Sequence, residues 1–95
     1  MFYIGDVLWL EEKDSVYDIP GGFFNFSGII RELHSTIPWI NNSSSWYKNG
    51  KRHRDKNSPG GEGPAIIWGD GVAEWYYEDA SYASDEGRKP QNFPE

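Results

Sequence analysis

Few side chains in this sequence could do covalent or acid–base chemistry: two histidines, His34 and His53, and no cysteine. The absence of Cys removes disulfides, thiolate metal sites and a Cys nucleophile together. A hydrolytic triad needs a histidine beside a nucleophile and an orienting acid, and no G-x-S-x-G elbow is present. His53 lies in "KRHR", and a structural role is expected for it ahead of a catalytic or ligand one. Glu74, Glu78, Asp79, Asp85 and Glu86 gather late in the chain. Carboxylate pairs do acid–base work when burial splits their pKa values. Beside a turn and in a polar tail these acids are expected to stay solvated. "DASYASDEG" lacks the spacing and terminal Glu of a calcium loop. "GGEG" at 60–63 has no Lys-Ser/Thr after it and no helix start to hold a phosphate. No catalytic residue, metal ligand or cofactor is therefore assigned, and a non-enzymatic protein is expected.

The sharper candidate is a basic stretch. Lys48, Lys51, Arg52, Arg54 and Lys56 interleave with Trp46, Tyr47 and His53, the mixture of cations and stacking rings that single-stranded nucleic acid requires. The plainer role for such cations is to guard strand edges against pairing. Together with Tyr76, Glu78 and Asp79, the residues Trp46, Tyr47, Lys48, Lys51, Arg52, Arg54 and Lys56 form the candidate partner-binding set. Charge is split around them: net −4 over residues 1–40, +4 over 41–60 and −6 over 61–95. The total of −6 opposes generic binding to a nucleic-acid backbone, so a protein partner is expected ahead of nucleic acid.

The elements that position these residues are legible from turn chemistry. Asn49-Gly50 and Asp70-Gly71 suit two-residue type I′ turns, which need positive φ at both central positions. Aromatic and β-branched residues flank both, which predicts strands near 44–48, 51–54, 64–68 and 72–78. Phe2 to Leu10 reads as a strand with a bend or bulge at Gly5-Asp6, and "DIPGG" at 18–22 as a turn. Ser27 could cap a short helix over Gly28 to His34, with Ile29, Ile30 and Leu33 on one face; a strand fits nearly as well. From Ser84 onward the chain is polar and aperiodic, which predicts a loose tail over 84–95.

The 95 residues make one domain (1–83 before the tail) with one modest core. Five Trp, six Tyr and five Phe, each able to bury ~150–250 Å², make that core aromatic. The uncharged run Ile19 to Ile30 is broken by Gly, Pro, Asn and Ser, which is no membrane span. A protein of the cytoplasm, monomeric or homodimeric, is expected.

Trp39 and Trp46 are seven residues apart, as are Trp68 and Trp75, and the offset between the pairs is 29. Tyr47 and Tyr76 obey the same offset, and Asn41-Asn42 falls where Asp70-Gly71 falls. The spacing predicts Trp rings paired across each hairpin. "WYKNGKRHR" followed by "GPAIIWGDGVAEWY" resembles a short β-hairpin repeat with consensus W-Y-x-N-G-K-x-H-R, G-P-A, W-x-D-G and E-W-Y. That repeat is scattered through bacteriophage and giant-virus proteins of unassigned function and is distantly similar to the second type of MORN repeat. The likeness covers about 38–78, with residues 1–37 packing on it. It departs from the consensus at the insert Asp55 to Glu62 and after Tyr76, so the array is expected to be capped after about one and a half units. The resemblance implies a mainly β domain, an antiparallel meander of Trp-bearing hairpins in one small sheet (α+β should 27–34 be helical). It also implies a viral accessory protein in the host cytoplasm, acting by stoichiometric binding. An inhibitor of a host defence enzyme, such as a nuclease or CRISPR effector, is the form such proteins often take.

Overall fold

A computed structural model describes residues 1–94, and Glu95 lies outside the described residues. The protein is mainly β. Among the described residues eight strands form one open sheet: β1 (Phe2–Ile4), β2 (Val7–Leu10), β3 (Gly28–Glu32), β4 (Ser43–Lys48), β5 (Lys51–Arg52), β6 (Ile66–Ile67), β7 (Ala73–Tyr77) and β8 (Ala80–Tyr82). Two single-turn 3₁₀ helices, Val16–Asp18 and Phe23–Asn25, interrupt the crossover between β2 and β3. The segment from Ser27 is therefore the start of a strand, not of a helix. Its β-branched Ile29 and Ile30 pair with Trp46 and Ser45 of β4, and tertiary pairing decides between two locally balanced conformations.

The path across the sheet is β1-β2-β3-β4-β6-β7-β8, with β5 also on β4. All these pairings are antiparallel except β2 with β3, where Val7 to Leu10 run parallel to Ile29 to Glu32. A parallel pair needs a crossover of roughly a dozen residues or more, and the stretch from Glu11 to Ser27 supplies it. The meander is thus broken once, at the N-terminal segment that falls outside the hairpin repeat.

The β4–β5 and β7–β8 hairpins match residue for residue at the offset of 29. Tyr47 pairs with Arg52 and Lys48 with Lys51; Tyr76 pairs with Ser81 and Tyr77 with Ala80. Asn49-Gly50 takes φ of 51° and 76°, and Glu78-Asp79 takes 47° and 69°, so both turns are of the type I′ kind. Residues 78–82, where the sequence motif fades, therefore continue the hairpin geometry. Asp70-Gly71 behaves otherwise: Gly71 alone has positive φ, and the Asp70 carboxylate accepts the Val72 N–H. The loop contains three residues, which brings Trp68 opposite Val72 rather than Trp75. The expected Trp–Trp pairs do not form. Trp39 is exposed in a turn, Trp46 lies under Arg54 and Trp75 meets Phe93.

Three layers of side chains stabilise the sheet. Leu8, Leu10 and Ile30 share one face and are covered by Ile19 and Phe26 of the crossover. Trp46, Ala65, Ile66 and Tyr76 make a second cluster beneath the 54–64 excursion and β7. The third depends on the C-terminal segment. Phe93 is only 4% exposed and sets its edge against Trp75, Tyr77 and Tyr82 at 5.0, 5.9 and 5.4 Å. The Trp75 indole N–H donates to the Gly87 carbonyl at 3.0 Å. Residues 84–94 are thus a packed strap, where the polar sequence predicts a loose tail; one ring finding an aromatic cradle outweighs the polar composition around it.

Candidate partner-binding surface

β5 and β6 run along one edge of β4, and the chain leaves that track at His53 and rejoins it at Ala65: the His53 N–H donates to the Trp46 carbonyl, and the Trp46 N–H to that of Ala65. The excursion between them is fastened by Arg54. Its Nε donates to the Gly61 carbonyl at 2.7 Å and one terminal nitrogen to Pro64 at 3.1 Å. The guanidinium lies 3.9 Å from the Trp46 ring centroid, and burial lowers its pKa. The Trp46 indole N–H reaches the Pro59 carbonyl at 2.7 Å. Arg54 and Trp46 are therefore clamps within the fold.

His53 is 1% exposed. Its Nδ1 accepts the Glu78 N–H at 3.0 Å, which places the ring proton on Nε2, and Nε2 donates to Asp55 at 2.7 Å. The His53 hydrogen bond holds the Asp55 carboxyl below its ordinary range. Both ring nitrogens are engaged, so neither is free to take a proton from a bound molecule. The ring meets Tyr77 edge-on at 4.5 Å. Next to it, a cleft of about 310 Å³ is lined by Ser27, Tyr47, Lys48, His53, Asp55 and Pro59, among others.

Two non-glycine residues at positive φ make Glu78-Asp79 a strained turn, at roughly 1–3 kcal/mol each. β5 holds it in place. The Asp79 carboxylate accepts the Arg52 backbone N–H at 2.8 Å and its Nε at 3.1 Å, and the Asp79 N–H donates to the Arg52 carbonyl. Burial works against the Asp79 charge, but these bonds prevail and lower its pKa. Arg52 also covers the Tyr76 ring at 4.4 Å.

Of the ten candidate residues, then, Trp46 and Tyr76 are buried, Arg52, Arg54 and Asp79 are engaged within the fold, and Tyr47 is half-buried. Lys48, Lys51, Lys56 and Glu78 are exposed. The structure brings Lys48 and Lys51 together as a pair across the Asn49-Gly50 turn.

Beside that turn stands a feature the sequence reading missed. Tyr17 and Phe24 are 73% and 74% exposed, linked through Phe23, which contacts both rings and also meets Tyr47 at 5.2 Å. The turn is pressed against them. The Gly50 N–H donates to the Phe26 carbonyl, and a Cβ on Gly50 would stand 2.7 Å from the Phe24 Cα. Tyr17, Phe23 and Phe24 thus form an aromatic ridge against the Asn49-Gly50 turn. The available signal was "DIPGGFFNF": two adjacent Phe between turn residues, where alternation cannot bury both.

Among the described residues no group of three or more His, Asp or Glu could hold a metal ion, and no helix is long and apolar enough to cross a membrane. The class defined by the fold is an open, mostly antiparallel sheet of hairpins with an aromatic ridge at one turn. Comparisons of the chain with protein-family models, curated proteins and solved structures found no match.

Proposed function

We propose that this is a non-enzymatic protein-binding module, and that the ridge Tyr17–Phe23–Phe24 is where the partner docks. The observation that carries this reading is the pair of aromatic rings, about three-quarters exposed, on the two 3₁₀ turns of the crossover, the second of them held against Gly50 by close backbone contact. Large rings with few rotatable bonds are the usual anchors of protein interfaces. In keeping with the resemblance to phage and giant-virus hairpin proteins, the partner is a host protein bound stoichiometrically. The net charge of −6 suits an enzyme with a positive nucleic-acid channel, such as a defence nuclease or a CRISPR effector.

Nucleic acid is the weaker alternative. With Arg52 and Arg54 engaged internally, the basic hairpin offers Lys48, Lys51 and Lys56 to phosphates, and affinity from so few charges is small and collapses with salt. Tagged protein is incubated with bacterial lysate, with and without nuclease, and washed at low and high salt. A defined protein that survives both treatments supports the proposal. Recovery of nucleic acid alone, lost at high salt, would overturn it in favour of the basic hairpin.

A further inference from the structure

The two hydrogen bonds of the buried His53 ring make different demands on it. Nε2–H donates to the Asp55 carboxylate at 2.7 Å, a bond that a neutral imidazole and an imidazolium can both make. Nδ1 accepts the Glu78 N–H at 3.0 Å, a bond that needs the neutral ring. Glu78, which depends on that acceptor, stands at φ 47° beside Asp79 at 69°. Without a glycine at either position, such a turn persists only where its surroundings hold it.

We propose that His53 is an acid-sensitive latch on the Glu78-Asp79 turn. A proton taken up at Nδ1 turns the acceptor into a donor and sets two N–H groups face to face, and the Glu78 peptide swings away. Relief of the left-handed backbone at Glu78 acts in the same direction.

The groups around the ring determine which side gives way. From the excursion, Asp55 has its carboxyl held below the ordinary range by the His53 bond. It therefore stays ionised in mild acid and keeps hold of an imidazolium through Nε2. From β7, Tyr77 meets the ring edge-on at 4.5 Å, and at 1% exposure the ring has little freedom to leave. From β4, Lys48 lines the same cleft and is the cation that opposes a charge on the ring. The flanking arginines are engaged elsewhere, Arg52 with Asp79 and Arg54 with the Gly61 carbonyl. The Glu78 side chain itself is exposed. Asp79 stays fastened to β5, because it accepts the Arg52 N–H and Nε and donates its own N–H to the Arg52 carbonyl. The release is thus local to Glu78. The latch goes beyond the partner-binding role and uses none of the aromatic ridge.

Nuclear magnetic resonance of the full chain tests the latch between about pH 7.5 and about pH 5, the range in which imidazoles change charge. Long-range ¹H–¹⁵N spectra follow the protons on the His53 ring, and hydrogen exchange, corrected for the intrinsic effect of pH, follows the backbone. The expected result is an Nε2–H ring at the upper end and a ring protonated on both nitrogens at the lower. Protection of the Glu78 N–H should fall with the same midpoint, by roughly tenfold or more, while the Arg52 N–H keeps its protection. His53→Asn retains an acceptor near the Nδ1 position and does not titrate, so it should abolish the response at Glu78; should it fail to fold, the wild-type spectra decide alone. A ring that stays neutral throughout would overturn the proposal, as would a ring that takes the proton while Glu78 remains protected. Joint loss of protection at Glu78 and Arg52 would replace the latch with general unfolding. A response that persists in folded His53→Asn would overturn it by assigning the switch to another acid.

Discussion

His53→Phe separates the bracket at His53 from the packing around it. Phenylalanine keeps the ring against Tyr77 but offers neither an acceptor to the Glu78 N–H nor a donor to Asp55. A buried donor left without an acceptor costs ~1–3 kcal/mol. The lost bond to Asp55 adds less than a fully buried charged pair would, because water can reach the carboxylate, which is 21% exposed. A combined loss of ~2–4 kcal/mol is a large part of the ~5–14 kcal/mol expected for a chain of this length. At roughly 4–8 °C per kcal/mol for a domain of this size, the thermal midpoint should fall by about 8–32 °C. Calorimetry measures the midpoint, and urea unfolding at constant m measures the free energy. Residual stability should allow the variant to fold at low temperature. A variant within about 0.5 kcal/mol of wild type, the range of an ordinary surface change, would refute the bracket and reopen a chemical role for the histidine.

Trp46→Ala removes a buried ring, the stacking surface of Arg54 and the indole bond to Pro59. A cost of ~3–5 kcal/mol should lower the thermal midpoint further than His53→Phe does, seen as earlier loss of near-UV circular dichroism on heating. Gly50→Ala and Gly71→Ala both place a side chain at positive φ, yet only the former drives a Cβ into backbone, that of Phe23 and Phe24. Gly71→Ala should cost ~1 kcal/mol and Gly50→Ala ~1–3 kcal/mol more; equal values from urea unfolding would contradict the close approach of the ridge to the turn. The Asp55 carboxyl has its pKa depressed by His53. Its contribution to stability is therefore present above the unfolded-state pKa of about 3.9 and lost as pH falls through the lower folded value. Asp55→Asn should be less stable than wild type at neutral pH and lose less between neutral and acid pH, measured by urea unfolding across that range.

The hairpins were legible because their turns are local. Asn-Gly at 49–50 specifies its own geometry, and the aromatic flanks specify strands. Glu78-Asp79 was illegible by composition, since Glu does not favour positive φ and no Gly follows at the second position. Long-range bonds from Arg52 and His53 hold it there, and the 29-residue offset was the one hint. The parallel β2–β3 pair and the docking of Phe93 also depend on contacts distant in sequence, which no local pattern encodes. The basic stretch "KNGKRHRDK" was prominent in the sequence for a reason largely internal to the fold. Arg52 steadies a strained turn, His53 brackets it and Arg54 fastens the excursion. The exposed ridge escaped notice because "GGFFNF" resembles the core-forming aromatics elsewhere, and only its position at a corner of the crossover leaves Phe24 in solvent.

The most direct test of the binding account compares capture of the partner by wild type, Tyr17→Ser/Phe24→Ser and Lys48→Glu/Lys51→Glu, all verified as folded. The account predicts that the ridge variant loses the captured protein, while the lysine variant retains it after nuclease and high salt. Undiminished capture by the ridge variant, together with loss of all binding in the lysine variant, would contradict it.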